Sequence, residues 1–217
     1  MLRLLAVCII ALTPWRAFAA DITVLVLGDS ISAGYGLSAN QVWVDRLKSR
    51  LDDARLNANV INASISGDTT RGGLERLPAA LTRHEPDIVI IELGGNDGLR
   101  GLSLKAMRQN LEQMVTLSKD FGARVLLLGM RIPSNYGPAY TTRFNAVFHA
   151  AAEATEVALM PFFLEPIVSD NRYFQADGIH PSAEAQPLLL DALWPYLKPL
   201  LPEPLSVAPQ SSAIKPD

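Results

Sequence analysis

An aliphatic run ends in Gly-Asp-Ser in the stretch LVLGDSISAG at positions 25–34. At the end of a buried strand, a hydroxyl such as that of Ser30 serves as a nucleophile, an anion ligand or a turn residue. Because a serine hydroxyl is a weak nucleophile, catalysis by Ser30 requires a neighbouring base and donors that stabilise an oxyanion. The base and the donors must come from other parts of the chain.

His180 is the candidate base among the three histidines. It lies in the turn-like stretch ADGIHP at 176–181, three residues after Asp177. Gly178 allows the chain to turn, so that the Asp177 carboxylate can reach Nδ1 of the imidazole and leave Nε2 free to face Ser30. Taken alone, this segment leaves open a surface Asp–His pair in a loop. The other two histidines are predicted at a helix end and on a polar helix face: His84 and His149.

Three N–H groups are candidates for the oxyanion hole. They are the backbone N–H of Ser30, the backbone N–H of Gly67 and the side-chain amide of Asn96. Gly67 carries no side chain that would block a substrate, and Asn96 lies in the glycine-rich stretch LGGNDG at 93–98. Taken singly, Gly67 and Asn96 are ordinary turn residues. They become candidates because both follow predicted strands, as Ser30 does.

Short aliphatic runs alternate with amphipathic stretches along the chain, which predicts an α/β fold. The predicted strands are 22–27, 58–61, 87–92, 125–128 and 157–159. Apolar residues at helical spacing predict helices at 43–51, 74–81, 104–114, 140–151 and 183–197. The last of these contains Pro187 and Pro195, so it is expected to be kinked or broken.

Strands that are apolar throughout and alternate with helices are typical of a parallel sheet covered on both faces. Such sheets bind ligands beyond the carboxyl ends of their strands. Residues 28–30, 62–68 and 94–97 follow the first three predicted strands. We therefore expect Ser30, Gly67 and Asn96 to meet at one edge of the sheet.

The first nineteen residues are predicted to be a secretory signal peptide. A basic residue at position 3 precedes an apolar run, and AFA at 17–19 is a small-x-small cleavage site. Cleavage would remove two cations, at positions 3 and 16, and would shift the formal net charge from -3 to -5. It would also remove Cys8, the only cysteine, which excludes disulfides and a cysteine nucleophile from the mature chain. The expected location is the periplasm or the outside of the cell, with no membrane span after cleavage.

The composition is that of a globular domain, with 49% hydrophobic and 19% charged residues. Residues 20–200 are predicted to form one domain, and the Pro- and Ser-rich residues 201–217 a disordered tail. The acidic balance gives no indication of a nucleic-acid partner. Three scattered histidines offer no metal cluster, so we expect neither a metal nor a cofactor. The protein is expected to be a monomer.

Four motifs in order carry a resemblance to a known family: GDS at 28–30, Gly67, GND at 95–97 and Asp177-x-x-His180. The chain resembles the SGNH hydrolases, also called GDSL esterases. Within that family it is similar to the exported bacterial thioesterases, lysophospholipases and arylesterases. Longer matching stretches extend this similarity over nearly all of residues 21–200: NASISGDT, RLPAAL, VIIELGGNDGLRG and QADGIHP.

The resemblance implies a three-layer α/β/α, flavodoxin-like fold with five parallel strands. It implies Ser30 as nucleophile, His180 as base and Asp177 as the residue that orients the base. It implies Ser30, Gly67 and Asn96 as the oxyanion hole. The implied activity is a broad-specificity esterase that hydrolyses acyl esters and thioesters through an acyl-enzyme on Ser30. The implied substrates are small acyl esters, thioesters and lysophospholipids.

Other functions fit the residues less well. A carbohydrate O-acetylesterase of the same fold stays open as an alternative. The α/β-hydrolases carry Gly-x-Ser-x-Gly, whereas Ser32 occupies the place of the second glycine here. A ligand-binding module could use residues 28–36 as an anion-binding loop, but it would have no need for Asp177 and His180 at their spacing.

The loop after the fourth predicted strand, residues 129–138, is expected to reach the same edge as Ser30. Ile132 and Tyr136 are apolar residues within this loop, and prolines and a glycine bracket them. They predict a wall of an acyl-binding groove, with a preference for medium acyl chains over acetate. A connector that merely covers the end of the sheet is the alternative.

Overall fold

The structure is a computed structural model that describes residues 22–203. The predicted signal peptide and the chain from 204 onward, which holds most of the predicted tail, lie outside the described residues. Leu200 and Leu201 pack against the core. The folded domain therefore reaches one residue past the predicted boundary at 200.

Five parallel strands form a single sheet in the order β2-β1-β3-β4-β5. The strands are β1 (Ile22–Gly28), β2 (Ala58–Asn62), β3 (Ile88–Glu92), β4 (Arg124–Leu128) and β5 (Ala158–Met160). β1 pairs with β2 on one side, Ile22 opposite Ala58, and with β3 on the other, Val24 opposite Ile88. All five residues of β3 are buried, which explains why residues 88–91 are aliphatic without alternation; Glu92, at the end of the strand, is the exception.

Within residues 22–203, seven α-helices accompany the sheet: α1 (Ser30–Ala33), α2 (Trp43–Asp53), α3 (Thr70–His84), α4 (Gly95–Leu99), α5 (Leu104–Asp120), α6 (Pro138–Thr155) and α7 (Gln186–Leu197). Helix α5 packs between α3 and α6, and α2 packs on α7. From β1, the chain adds β2 on one side of the sheet and then β3, β4 and β5 on the other side. Because the crossovers are right-handed, α3, α5 and α6 lie on one face of the sheet, and α2 and α7 lie on the opposite face. The result is the expected three-layer α/β/α arrangement. No described helix has the length and apolar character that crossing a membrane requires.

Two helices differ from their predictions. Helix α7 is continuous over Gln186–Leu197. Pro187 lies in its first turn, where no intrahelical donor is required, whereas Pro195 lies inside the helix and removes one backbone donor without ending it. Helix α3 begins four residues before the predicted start and continues past Pro78 to His84. Its early start matters for the site, since Thr69 caps the helix directly after the loop that carries Gly67.

Candidate active site

The nucleophile candidate Ser30 is the first residue of α1, at the point where β1 ends. Asp29 caps this short helix, and its Oδ1 accepts a hydrogen bond from the N–H of Ile31 at 3.1 Å. Gly28 permits the tight passage, because a Cβ at this position would lie 2.8 Å from Oε2 of Glu92. The strand-to-helix junction thus presents the Ser30 hydroxyl at the carboxyl edge of the sheet.

A chain of two hydrogen bonds joins the three predicted triad residues. Nε2 of His180 lies 2.9 Å from Oγ of Ser30, although 150 residues separate them in sequence. Nδ1 of His180 lies 2.7 Å from Oδ2 of Asp177. The carboxylate therefore accepts the Nδ1–H bond, which leaves Nε2 as the acceptor for the serine proton.

The turn that carries Asp177 fixes this carboxylate from both sides. Its Oδ1 accepts hydrogen bonds from the backbone N–H groups of Ile179 at 2.9 Å and His180 at 3.0 Å. Gly178 occupies the left-handed region with a φ of +67°, as the turn requires. The backbone and side-chain hydrogen bonds from His180 lower the pKa of Asp177 to about 2. The Asp177 carboxylate is therefore ionised under all conditions in which His180 can act as a base.

Tyr35 supports the imidazole from its face, a role that the sequence did not indicate. Its ring centroid lies 4.5 Å from that of His180. The side chain of Gln175 donates to the carbonyl of Tyr35 at 2.7 Å and to that of Pro181 at 3.1 Å. One side chain thus joins the loop after α1 to the loop of the base. No local pattern marks Tyr35, because its partner lies far along the chain.

Hydrogen bonds orient the Asn96 amide at the start of α4. Its Nδ2 donates to Oδ2 of Asp29 at 3.1 Å, and its Oδ1 accepts from Nη2 of Arg100 at 3.4 Å. These partners assign the two ends of the amide, since a carboxylate needs a donor and a guanidinium needs an acceptor. An amide nitrogen carries two N–H groups, so one is left for the cavity that Asn96 lines beside Ser30.

Gly67 lies on the loop between β2 and α3, with a φ of +80° that favours glycine. Its carbonyl accepts from Nη2 of Arg100 at 2.8 Å, the same nitrogen that contacts Asn96. Arg100 thus draws together the two loops that carry predicted oxyanion donors. In the part of the chain that the structure describes, the Gly67 N–H makes no hydrogen bond.

Arg76, on α3, is a second arginine that sequence reasoning missed. It donates to Asp68 at 2.7 Å and to the carbonyl of Gly28 at 3.2 Å, and it also contacts the carbonyl of Ala63. These bonds hold the Gly67 loop against the end of β1. The sequence does not indicate this role for an arginine on a helix, because the role depends on where the loops lie in the folded protein.

Two carboxyl groups lie buried beneath the nucleophile. Burial raises the pKa of Asp29 to about 6, against the hydrogen bonds from Ile31 and Asn96 that lower it. Burial and the charge of Asp29 raise the pKa of Glu92 well above its usual value. Oε2 of Glu92 accepts from Oγ of Ser32 at 2.8 Å and from the N–H of Asp29 at 3.3 Å. The pair thus joins α1 to the end of β3.

A cavity of about 620 Å³ opens beside Ser30, His180 and Asn96. Its other walls are mostly apolar and include Met130, Ile132, Phe162, Leu164, Val168 and Ile179. Ile132 lies in this wall, and it is also a buried part of the core. We refer to this space as the acyl cavity.

Tyr136 does not take the place expected for it, because it is not among the residues that line the acyl cavity. Its hydroxyl donates to the carbonyl of Leu99 at 2.9 Å, and its ring stacks on that of Tyr140 at 6.2 Å. The polar end of the side chain thus draws it toward α4. Any effect of Tyr136 on the cavity passes through Leu99, which does line it.

The described residues contain no group of three His, Cys, Asp or Glu side chains placed to hold a metal ion. A hydroxyl, an imidazole and a carboxylate in series, beside an oriented amide and an apolar cavity, are the parts that acyl transfer requires.

Comparisons with known proteins agree with this chemistry. Residues 26–187 match the GDSL-like Lipase/Acylhydrolase family. The chain is 53% identical over 183 residues to Esterase TesA of Pseudomonas aeruginosa, covering 84% of this chain and 91% of that protein. It is 44% identical to Thioesterase 1/protease 1/lysophospholipase L1 of Escherichia coli K12, covering 88% and 90% of the two chains. The crystal structure of the psychrotrophic esterase EstA from Pseudoalteromonas sp., inhibited by monoethylphosphonate, superimposes with a TM-score of 0.79 at 42% identity, covering 82% and 98%.

Proposed function

Because the chain belongs to the GDSL-like lipase/acylhydrolase family, we propose that it is a broad-specificity esterase with Ser30 as its nucleophile. It hydrolyses carboxylic esters and thioesters. The observation that carries the proposal is the continuous contact from Ser30 through His180 to Asp177, at 2.9 Å and 2.7 Å.

In the first half of the reaction, Nε2 of His180 takes the proton of the Ser30 hydroxyl as Oγ attacks the acyl carbon. The negative charge that develops on the acyl oxygen is stabilised by the backbone N–H groups of Ser30 and Gly67 and by the free N–H of Asn96. The bond between the acyl carbon and the leaving oxygen or sulfur then breaks. The leaving atom receives the proton that His180 holds, and the acyl group remains on Ser30 as an ester.

In the second half, His180 takes a proton from a water molecule, which attacks the acyl-enzyme. The bond between Oγ and the acyl carbon breaks, Oγ regains a proton from His180, and the carboxylic acid leaves. Asp177 remains ionised throughout and stabilises the imidazolium that forms in each half. Its pKa of about 2 suits this role, since it stays charged across the whole working range of the imidazole.

The acyl chain lies in the acyl cavity in this proposal. Its volume of about 620 Å³ exceeds what an acetyl group fills, and its walls are mostly apolar. Each buried Å² of the chain contributes about 25 cal/mol, so longer acyl groups bind better until the cavity is full. This argues against a dedicated O-acetylesterase, because acetate would leave most of the apolar wall in contact with water.

Two properties of the whole protein belong to the same proposal. Cleavage after residue 19 would release the enzyme into the periplasm or outside the cell, and the protein would act as a monomer.

The test compares Ser30→Ala with Ser134→Ala, a matched control because Ser134 is a second serine that lines the acyl cavity. Hydrolysis of p-nitrophenyl butyrate and covalent labelling by an organophosphonate are the two measurements. Ser30→Ala should lose on the order of 10⁶-fold in kcat and all labelling. Ser134→Ala should retain both. Labelling of the Ser30→Ala protein at an unchanged rate would contradict the assignment.

A further inference from the structure

Tyr35 is an exposed aromatic side chain in contact with the catalytic base. Its ring centroid lies 4.5 Å from that of His180, and the two ring planes are inclined at 35°. The residue is nevertheless 54% exposed. The contact with His180 therefore covers only part of the tyrosine ring, and the rest of the ring faces solvent beside the reacting groups.

Backbone hydrogen bonds hold Tyr35 in place relative to both the nucleophile and the base. Its N–H donates to the carbonyl of Ser30 at 3.0 Å. Its carbonyl accepts from Nε2 of Gln175 at 2.7 Å, and the same nitrogen donates to the carbonyl of Pro181 at 3.1 Å. Because Pro181 directly follows His180, the backbone of Tyr35 is fixed to the segments that carry both reacting side chains.

The proposed reaction leaves one direction for the leaving group. The acyl carbon is bonded to Oγ of Ser30, its oxyanion points to the N–H donors, and its acyl chain lies in the acyl cavity. The leaving atom must lie within hydrogen-bond distance of Nε2 of His180, because Nε2 protonates it. Nε2 lies 2.9 Å from Oγ and belongs to the ring on which Tyr35 packs. The group attached to the leaving atom therefore begins beside Tyr35.

The position of Tyr35 suits contact with the leaving group and not with the acyl chain. Ser30 and His180 line the acyl cavity, whereas Tyr35 is not among its lining residues. Aromatic rings pair in offset or edge-to-face arrangements with centroids about 4.5–7 Å apart. An aromatic ring one or two bonds from the leaving atom can reach this separation from the exposed part of Tyr35.

We propose that Tyr35 determines leaving-group specificity, because its ring pairs with flat aromatic leaving groups more strongly than with saturated groups of the same size. The inference rests on the proposed esterase function, since it places the leaving group of that reaction. The contact acts on the formation of the acyl-enzyme only, because the leaving group has departed before water attacks. Its effect therefore appears in kcat/KM, and the preference for acyl length does not depend on it.

The experiment compares kcat/KM for benzyl butyrate and cyclohexylmethyl butyrate, which share one acyl group and release primary alcohols of similar size. In Tyr35→Leu, which keeps an apolar side chain against His180, the ratio of the benzyl value to the cyclohexylmethyl value should fall roughly two- to tenfold, as expected for one aromatic pair. Tyr35→Phe should keep the wild-type ratio, because it retains the ring. Both esters are measured on the same preparation, so a partly unfolded variant does not change the ratio.

Tyr196→Leu is the matched control, because Tyr196 is a second exposed tyrosine, at the end of α7, and does not line the acyl cavity. It should leave both kcat/KM values unchanged. An equal loss on the two esters in Tyr35→Leu would show that Tyr35 only supports the imidazole, and it would overturn the specificity assignment. Absence of hydrolysis of both esters by the wild-type protein would instead contradict the proposed esterase function.

Discussion

The substitution Asp29→Asn should stabilise the fold above pH 7 and lower kcat, because Asp29 is a buried carboxylate that serves the site at the expense of stability. Asp29 is 2% exposed, and burial is the main cause that raises its pKa from 3.8 to about 6. Between these two values the folded protein holds a proton that the unfolded chain has released. Stability therefore falls as the pH rises through this window, and the loss is complete above it.

The size of the effect on the free energy of unfolding follows from the shift in the pKa of Asp29. At 1.36 kcal/mol per pKa unit, the ionised Asp29 costs about 3 kcal/mol above pH 7. Asparagine cannot ionise, and its Oδ1 can still accept from the N–H of Ile31. Its Nδ2 would face Nδ2 of Asn96, so one hydrogen bond worth about 1 kcal/mol is lost. The variant should thus be about 1 to 2 kcal/mol more stable than wild type at pH 8 and less stable at pH 4.

Urea unfolding of both proteins at about pH 4 and about pH 8 measures this difference, and its dependence on pH is the decisive quantity. Asp87→Asn is the control, since Asp87 is an exposed carboxylate that likewise accepts a backbone N–H. The kcat of Asp29→Asn should fall by up to 10²-fold, because the Asn96 amide loses the partner that orients it. A stability difference that stays constant with pH would refute the claim that burial of Asp29 costs stability.

The other predictions concern the base, the oxyanion and the acyl group. Asn96→Ala should lower kcat by roughly 10²–10³ with little change in KM, measured on a p-nitrophenyl ester, and a change below twofold would make Asn96 a turn residue only. Tyr35→Ala should lower kcat by roughly threefold to tenfold, because His180 loses the ring that packs on it, while Tyr35→Phe should retain wild-type activity. Asp177, whose pKa is about 2, should contribute no transition to the pH profile of kcat above that value, and a transition that Asp177→Asn removes would contradict this. Ile132→Val should reduce kcat/KM more for octanoate than for acetate esters; equal losses would show that Ile132 only supports the core.

The fold followed from the sequence where apolar pattern decides structure. The aliphatic runs predicted all five strands, and the pattern was clearest for β3, whose residues are all buried, and weakest for β2, which is partly exposed. Pro187 did not break α7, because it lies in the first turn, and this position is not visible until the start of the helix is known. The prediction for Tyr136 considered only its apolar ring. In the structure, its hydroxyl donates to a backbone carbonyl of α4, and this hydrogen bond determines the orientation of the side chain.

The triad candidates could be proposed because Ser30 and His180 each lie in a short motif whose residue types and spacing indicate a catalytic role. The residues that hold the site in place could not be proposed. The most distant partners of Arg100, Arg76 and Tyr35 lie 33, 48 and 145 positions away, and each of the three is an ordinary surface residue type. Their contribution depends on distances between loops, which only the packed sheet and helices determine.

Glu92 shows how the core itself takes part in the site. It interrupts the otherwise aliphatic strand β3, it is fully buried, and its Oε1 has no hydrogen-bond partner among the described residues. A buried carboxyl with an unpaired oxygen costs stability that an apolar side chain of similar size would not. What it provides is a fixed position, because its Oε2 binds both Ser32 and the N–H of Asp29 and so holds α1 against the end of β3. The loop that follows β3 carries Asn96, whose amide is held by Asp29 in turn. The acid that breaks the pattern of the strand therefore sets the nucleophile and the oxyanion donor at a constant separation, and departures from the local rules are expected where function requires such a constraint.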